Sequence, residues 1–181
     1  MQTATTTTTT SKTEPRLGLD DLARLGFLEL EALYRRGKAP ASLRTLDGPL
    51  TGRMLALRSL RARGLRNAVA KLAGARAFVW AGKSFSAQSD TAGTGINRIR
   101  GGALLGRQNL FPFETRIAAS AIDGEPAVVL DYDLQENPGY IRRIHDEVRE
   151  VSPGVFMGPA MWKTAKGKVT LLWFALDTGR R

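Results

Sequence analysis

The stretch from Ala127 to Asp177 constrains this chain more than any other. Ala127-Val-Val-Leu-Asp-Tyr-Asp133, Val155-Phe-Met-Gly-Pro-Ala-Met-Trp162 and Val169-Thr-Leu-Leu-Trp-Phe-Ala-Leu176 read as strands, and Lys166-Gly167-Lys168 as a turn between the last two. Strand side chains alternate between faces. Val169, Leu171, Trp173 and Ala175 therefore point one way and Leu172, Phe174 and Leu176 the other, so both faces are apolar. An antiparallel sheet covered on both faces is a sandwich layer or the wall of a barrel with an apolar interior. Between the first and second of these strands, Asn137 suits a helix N-cap and Pro138 the first helical position. Ile141, Ile144, Val148 and Val151 recur on one helical face before Pro153-Gly154. That spacing predicts a short helix.

The 181 residues suit one domain with a full core. Cysteine is absent, which excludes a disulfide framework, a thiolate metal site and a Cys nucleophile. No apolar run approaches the roughly 20 residues that span a bilayer. The N-terminal residues lack the apolar core of a signal peptide. The expectation is a cytoplasmic protein, not integral to a membrane, that needs no cofactor and no metal. Residues 1–16 are Thr-rich, with Thr5 to Thr10 unbroken, and predict a disordered tail. Residues 17–181 then form a single barrel domain.

Asp20 and Asp21, the spacing of Leu22, Leu25, Leu28 and Ala32, and Arg35-Arg36-Gly37 predict a leading helix. Asp47-Gly48-Pro49 is a turn before a short strand, Arg53 to Leu57. Arg61 to Leu72 predicts a helix that Gly74 ends. Ala77 to Trp80 with Lys83 to Phe85 predicts one strand and Gly95 to Arg100 another, and Gly101-Gly102 a tight turn. Arg116 to Ile122 and Ala127 to Asp133 make a hairpin across Asp123-Gly124-Glu125-Pro126. Seven or eight strands, mostly sequence neighbours, predict a mainly β fold with helices (α+β), an antiparallel meandering barrel rather than a doubly wound sheet.

Gly52-Arg53, Trp80-Ala-Gly-Lys-Ser-Phe85, Asn97-Arg98, Leu130-Asp-Tyr-Asp133, Ile141-Arg-Arg-Ile144 and Phe156-Met-Gly158 carry a resemblance. Together they resemble the bacterial family named for its GXWXG signature, which has a lipocalin-like second half. The signature Trp is missing, since Gly52-Arg53-Met54-Leu55-Ala56 stands in its place, so the likeness is to a distant relative. The resemblance implies a calycin-type barrel, of a kind that often holds a small hydrophobic molecule.

Several groups could carry chemistry. Asp131 and Asp133 share one strand face about 7 Å apart, with Tyr132 on the other. Facing a lumen, the two carboxylates could act as acid and base; at the strand tip they would be rim charges. His145, the one histidine, lies beside the stripe of the expected helix and reads as solvated. With one His and no Cys, zinc sites and Ser-His-Asp arrangements have little to work with. Gly93-Thr-Gly95-Ile-Asn97-Arg98 lacks the third glycine of a dinucleotide fingerprint and reads as bent strand.

The net charge of +10 concentrates between Asp47 and Asp90, where Arg53, Arg58, Arg61, Arg63, Arg66, Lys71, Arg76 and Lys83 meet no acidic residue. An anionic surface or nucleic acid could bind Arg53 to Arg76, but interleaved aromatics are lacking and a solvated face is favoured. The strand aromatics fit a pocket wall better. Trp80, Lys83, Asn97, Arg98, Tyr132, Met161 and Trp173 are the residues expected at a lumen with a polar end, Lys83 or Arg98 orienting a carboxylate or phenolate. The function expected is binding of a small hydrophobic molecule that could be anionic. The alternative is a metal-independent acid/base enzyme (isomerase, cyclase or hydrolase-like) using Asp131, Tyr132 and Asp133.

Overall fold

A computed structural model describes residues 16–58, 79–100 and 106–179. The helix expected at Arg61 to Leu72, the basic residues from Arg61 to Arg76, Ala77-Phe78, the Gly101-Gly102 turn and all but the end of the Thr-rich tail lie outside them. Two helices, α1 (Leu19–Leu22) and α2 (Phe27–Arg36), precede eight strands. These are β1 (Gly48–Leu57), β2 (Val79–Ala87), β3 (Ala92–Arg100), β4 (Arg107–Ala119), β5 (Pro126–Asp131), β6 (Ile144–Ser152), β7 (Val155–Thr164) and β8 (Gly167–Asp177). Each strand pairs antiparallel with the next, and β8 returns to β1 from Thr51↔Asp177 to Leu57↔Leu172, closing an up-and-down barrel of calycin-like form. No helix among the described residues is long and apolar enough to cross a membrane.

The single leading helix of the sequence reading is two helices. Asp21 Oδ2 accepts from the Gly18 N–H at 2.9 Å and Glu29 Oε2 from the Gly26 N–H at 2.7 Å, so each helix has its own capped start. Arg35 and Arg36 close α2 where its carbonyls favour cations.

The two apolar faces of β7 and β8 are the two sides of the barrel wall. Phe156, Phe174 and Leu176 belong to the inner core, with Leu46, Leu50, Phe85, Phe113, Val128, Leu130 and Val148. Val155, Met157, Trp173 and Ala175 face outward and are covered by Leu22, Leu30 and Tyr34 of the helices. Leu171, expected beside Trp173, joins the inner core instead. It is the unpaired residue of a bulge, because Ala160 pairs with Leu172 while Met161 pairs with Thr170.

The helix expected after Pro138 does not form. Residues 139–143 are turn-like and Ile144–Ser152 is a strand. Asn137 caps no helix; its Nδ2 donates to Pro112 O at 2.8 Å and Tyr132 O at 2.9 Å, stapling the β5–β6 connection to β4. Ile144, Asp146 and Val148 face inward, and His145, Glu147 and Arg149 face outward yet are buried. A run of charges looks like the wet side of a helix; here each charge is buried with a partner.

Candidate functional site

A cavity of about 140 Å³ opens inside the barrel. Its walls are mostly apolar, with Ile99, Phe111, Ile141, Ile144, Leu172 and Phe174 among them. Trp80, Lys83, Asn97, Tyr132 and Asp146 bring the polar atoms.

Register places these groups. Lys83 on β2 is paired directly with Asn97 on β3, and directly paired residues share a face. Asp146 pairs with Leu130, and Tyr132 follows two residues later on that side of the chain. Trp80 sits one bulge away from Lys83, because the β2–β3 register shifts between Trp80 and Gly82. Its ring lies over Gly52, where a Cβ would stand 2.6 Å from ring carbons. Phe111, with φ of 58°, is the bulge residue between Leu110 and Pro112. The bulge brings it to the cavity wall and lets its carbonyl accept from Asn97 Nδ2 at 3.2 Å. The bulges of β4 and β8 thus put Phe111 and Leu171 in the cavity wall, and those of β1 and β2 stand next to Met54 and Trp80, which also line it.

Lys83 is the hub. Its Nζ donates to Tyr132 OH at 2.5 Å, Asn97 Oδ1 at 2.9 Å and Asp146 Oδ2 at 3.0 Å. The centroids of Phe174, Phe113, Tyr132 and Trp80 lie 5.1, 5.2, 5.3 and 5.5 Å from it, an aromatic box for an ammonium. Tyr132 OH donates to Asp146 Oδ2 at 3.0 Å, Trp80 Nε1 to Asn97 Oδ1 at 3.1 Å, and Asn97 Nδ2 to Tyr132 OH at 3.2 Å. Burial lowers the Lys83 pKa despite the opposing pull of Asp146. Burial, then the Asp146 charge, raise that of Tyr132 well above its ordinary value. Asp146 Oδ1 is buried and has no partner among the described residues.

Of the residues expected at the lumen, Trp80, Lys83, Asn97 and Tyr132 come together there. Arg98 does not; it alternates outward and donates to Leu50 O at 3.3 Å. Met161 is buried on the outer face, paired with His145. Trp173 lies outside the barrel, 5.5 Å from the Tyr34 ring and 5.9 Å from that of Phe27. Asp131 and Asp133 are rim groups. Asp131 accepts from Lys163 at 2.9 Å, and Asp133 from Arg142 at 2.7 Å. Burial works to raise the Asp131 pKa, but the hydrogen bonds from Lys163 and the Asp133 N–H, with the Lys163 and Arg116 charges, together outweigh it and the carboxyl is held low. Asp146 was missed by the sequence reading. Alternation through Ile144-Asp146-Val148 was its only signal, and the helical stripe concealed it.

His145 is not a solvated helix residue. It is buried on the outer face of β6, with Nε2 2.8 Å from Glu147 Oε1. Glu147 Oε2 accepts from Ser120 Oγ at 2.5 Å and Tyr34 OH at 2.9 Å, and its Oε1 from the Ala121 N–H at 2.8 Å. Arg149 donates to both Asp123 oxygens, at 2.6 and 2.8 Å. Among the described residues no group of His, Asp and Glu could hold a metal ion.

No family model matches the chain, and no curated protein matches it. A solved structure described as "Crystal structure of protein from Thermomonospora curvata" is similar at 21% identity, covering 86% of this chain and 89% of that one, with a TM-score of 0.49.

Proposed function

We propose that this protein holds a small hydrophobic molecule in the lumen of a lipocalin-like barrel. The observation that carries the reading is the apolar cavity of about 140 Å³ with its buried polar end. A dry apolar void of about 150 Å³ takes up benzene in another protein. A ring with a short tail is the scale of ligand this space suits. The kinship to the GXWXG-signature family belongs to the same proposal, carried by the Trp80 to Phe85 segment of β2. So does a cytoplasmic location, which suits a chain without cysteine.

Propylbenzene titrated into the protein should change its tryptophan fluorescence saturably, because Trp80 is in the wall. Ala160→Phe, which fills the cavity from β7, should remove the response while circular dichroism stays that of a folded barrel. An absent or non-saturable response in the wild type sinks the reading.

A second reading is acid/base catalysis on the same barrel. Tyr132 remains in it, and Asp146 and Lys83 replace Asp131 and Asp133. What favours it is an unpartnered carboxylate oxygen beside a tyrosine hydroxyl and a lysine. Deuterium uptake from D2O into 4-ethylcyclohexanone, followed by NMR, tests it; exchange no faster than in buffer removes it.

A further inference from the structure

Every side-chain donor at the polar end of the cavity is already used. The three Lys83 protons go to Tyr132 OH, Asn97 Oδ1 and Asp146 Oδ2. The Tyr132 proton goes to Asp146 Oδ2 and that of Trp80 Nε1 to Asn97 Oδ1. Asn97 Nδ2 spends its two on Tyr132 OH and Phe111 O. Acceptor capacity is what remains, and it lies on Asp146, a residue of the cavity wall whose Oδ1 is buried without a partner among the described residues. A carboxylate oxygen left so is expensive, and a group that donates to it recovers a charge-assisted hydrogen bond.

Resting on the binding reading above, we infer that the site selects a neutral apolar molecule bearing a hydroxyl or N–H donor, and selects against anions. The charge on Lys83 is matched by Asp146 at 3.0 Å, so the polar end is neutral overall. A carboxylate ligand would find no unspent donor and would face Asp146 Oδ1 with like charge. An ammonium would bring donors but would stand beside the Lys83 charge. A phenol or alcohol meets neither objection, and its ring lies against Phe174, Ile99 and Leu172. This reverses the expectation that Lys83 orients an anionic ligand: the lysine is the cation of an internal pair.

The test is calorimetric titration of the wild-type protein at pH 7 with three probes of one shape: 4-propylphenol, 4-propylanisole and 4-propylbenzoate. The phenol should bind at least tenfold more tightly than its methyl ether, and the benzoate more weakly than the ether. Equal affinity for phenol and ether overturns the inference and leaves the binding reading standing, an ordered water then serving Asp146. A benzoate that binds tightest also overturns it, because Lys83 would then be the ligand's partner. If none of the three binds but propylbenzene does, the site is purely apolar and the inference is lost. If nothing binds at all, the binding reading itself has failed.

Discussion

Burying the Lys83 ammonium and the Asp146 carboxylate costs several kcal/mol for each ion before their attraction is counted. Lys83 is 3% exposed and Asp146 also 3%, so neither charge recovers much from water. Their contact, the Tyr132 and Asn97 hydrogen bonds and the four ring faces offset that cost together. Each group therefore depends on the other. Lys83→Met alone should destabilise by about 3–5 kcal/mol, because it strands the carboxylate, and Asp146→Leu should do the same by stranding the ammonium. The double variant should lie close to wild type, since a well-packed apolar pair avoids both desolvation costs. Urea unfolding of the four proteins gives the coupling directly. If the two single losses add up in the double variant, the residues act independently and the pair is not the unit described.

At the scale of the element, β2 shows what it takes to build a polar end into an apolar barrel. Gly82 has φ of 123°, in the region that favours glycine, and a Cβ there would collide with the Leu50 carbonyl of β1. The bulge at Ala81 separates Trp80 from Lys83 in register and still brings both to the cavity. Gly82→Ala should thus cost about 2 kcal/mol or more in thermal or urea unfolding and shift the tryptophan emission, since Gly82 lies against Gly52, which the Trp80 ring covers. An unchanged midpoint and spectrum would show that the strand relaxes freely. β2 was legible in the sequence because Trp80-Ala-Gly-Lys-Ser-Phe85 has the aromatic and glycine pattern of a bent strand. β8 was legible because seven apolar residues in alternation allow only a doubly covered wall. Two things hid from that kind of reading. Bulges move single residues, as Leu171 shows, and leave no mark in hydrophobicity. β6 hid because Ile-His-Asp-Glu-Val-Arg-Glu satisfies its charges through residues far away in the chain, Tyr34, Ser120, Asp123 and Lys83. Trp80, Lys83 and Asn97 lie on β2 and its neighbour β3 and Tyr132 just past β5, whereas Asp146 lies on β6.

The whole molecule is a barrel with a helical cover, and the cover is fastened at Glu147. Tyr34 of α2 reaches across to Glu147 and Ser120 with its hydroxyl, and Arg149 sits over the Tyr34 ring at 4.5 Å and donates to the Tyr34 carbonyl at 3.3 Å. Burial acts to raise the Glu147 pKa. Hydrogen bonds from His145, Ser120, the Ala121 N–H and Tyr34 outweigh it and hold the carboxyl below its ordinary 4.5. The sign follows from proton linkage. Between the folded and unfolded values the unfolded chain binds the extra proton, so this contribution to stability is complete above about 4.5 and fades as pH falls through the folded value. Glu147→Gln keeps the shape but turns an amide N–H2 toward groups that already donate. It should therefore lose about 1–3 kcal/mol at pH 7. Urea midpoints measured from pH 7 down to pH 3 should show the gap between wild type and variant narrowing below about pH 4.5. Asp123, whose carboxyl is also held low, first by its hydrogen bond from Arg149, leaves both proteins with a shared acid slope that cancels in the difference. A gap that stays constant into acid would mean that Glu147 carries no depressed pKa.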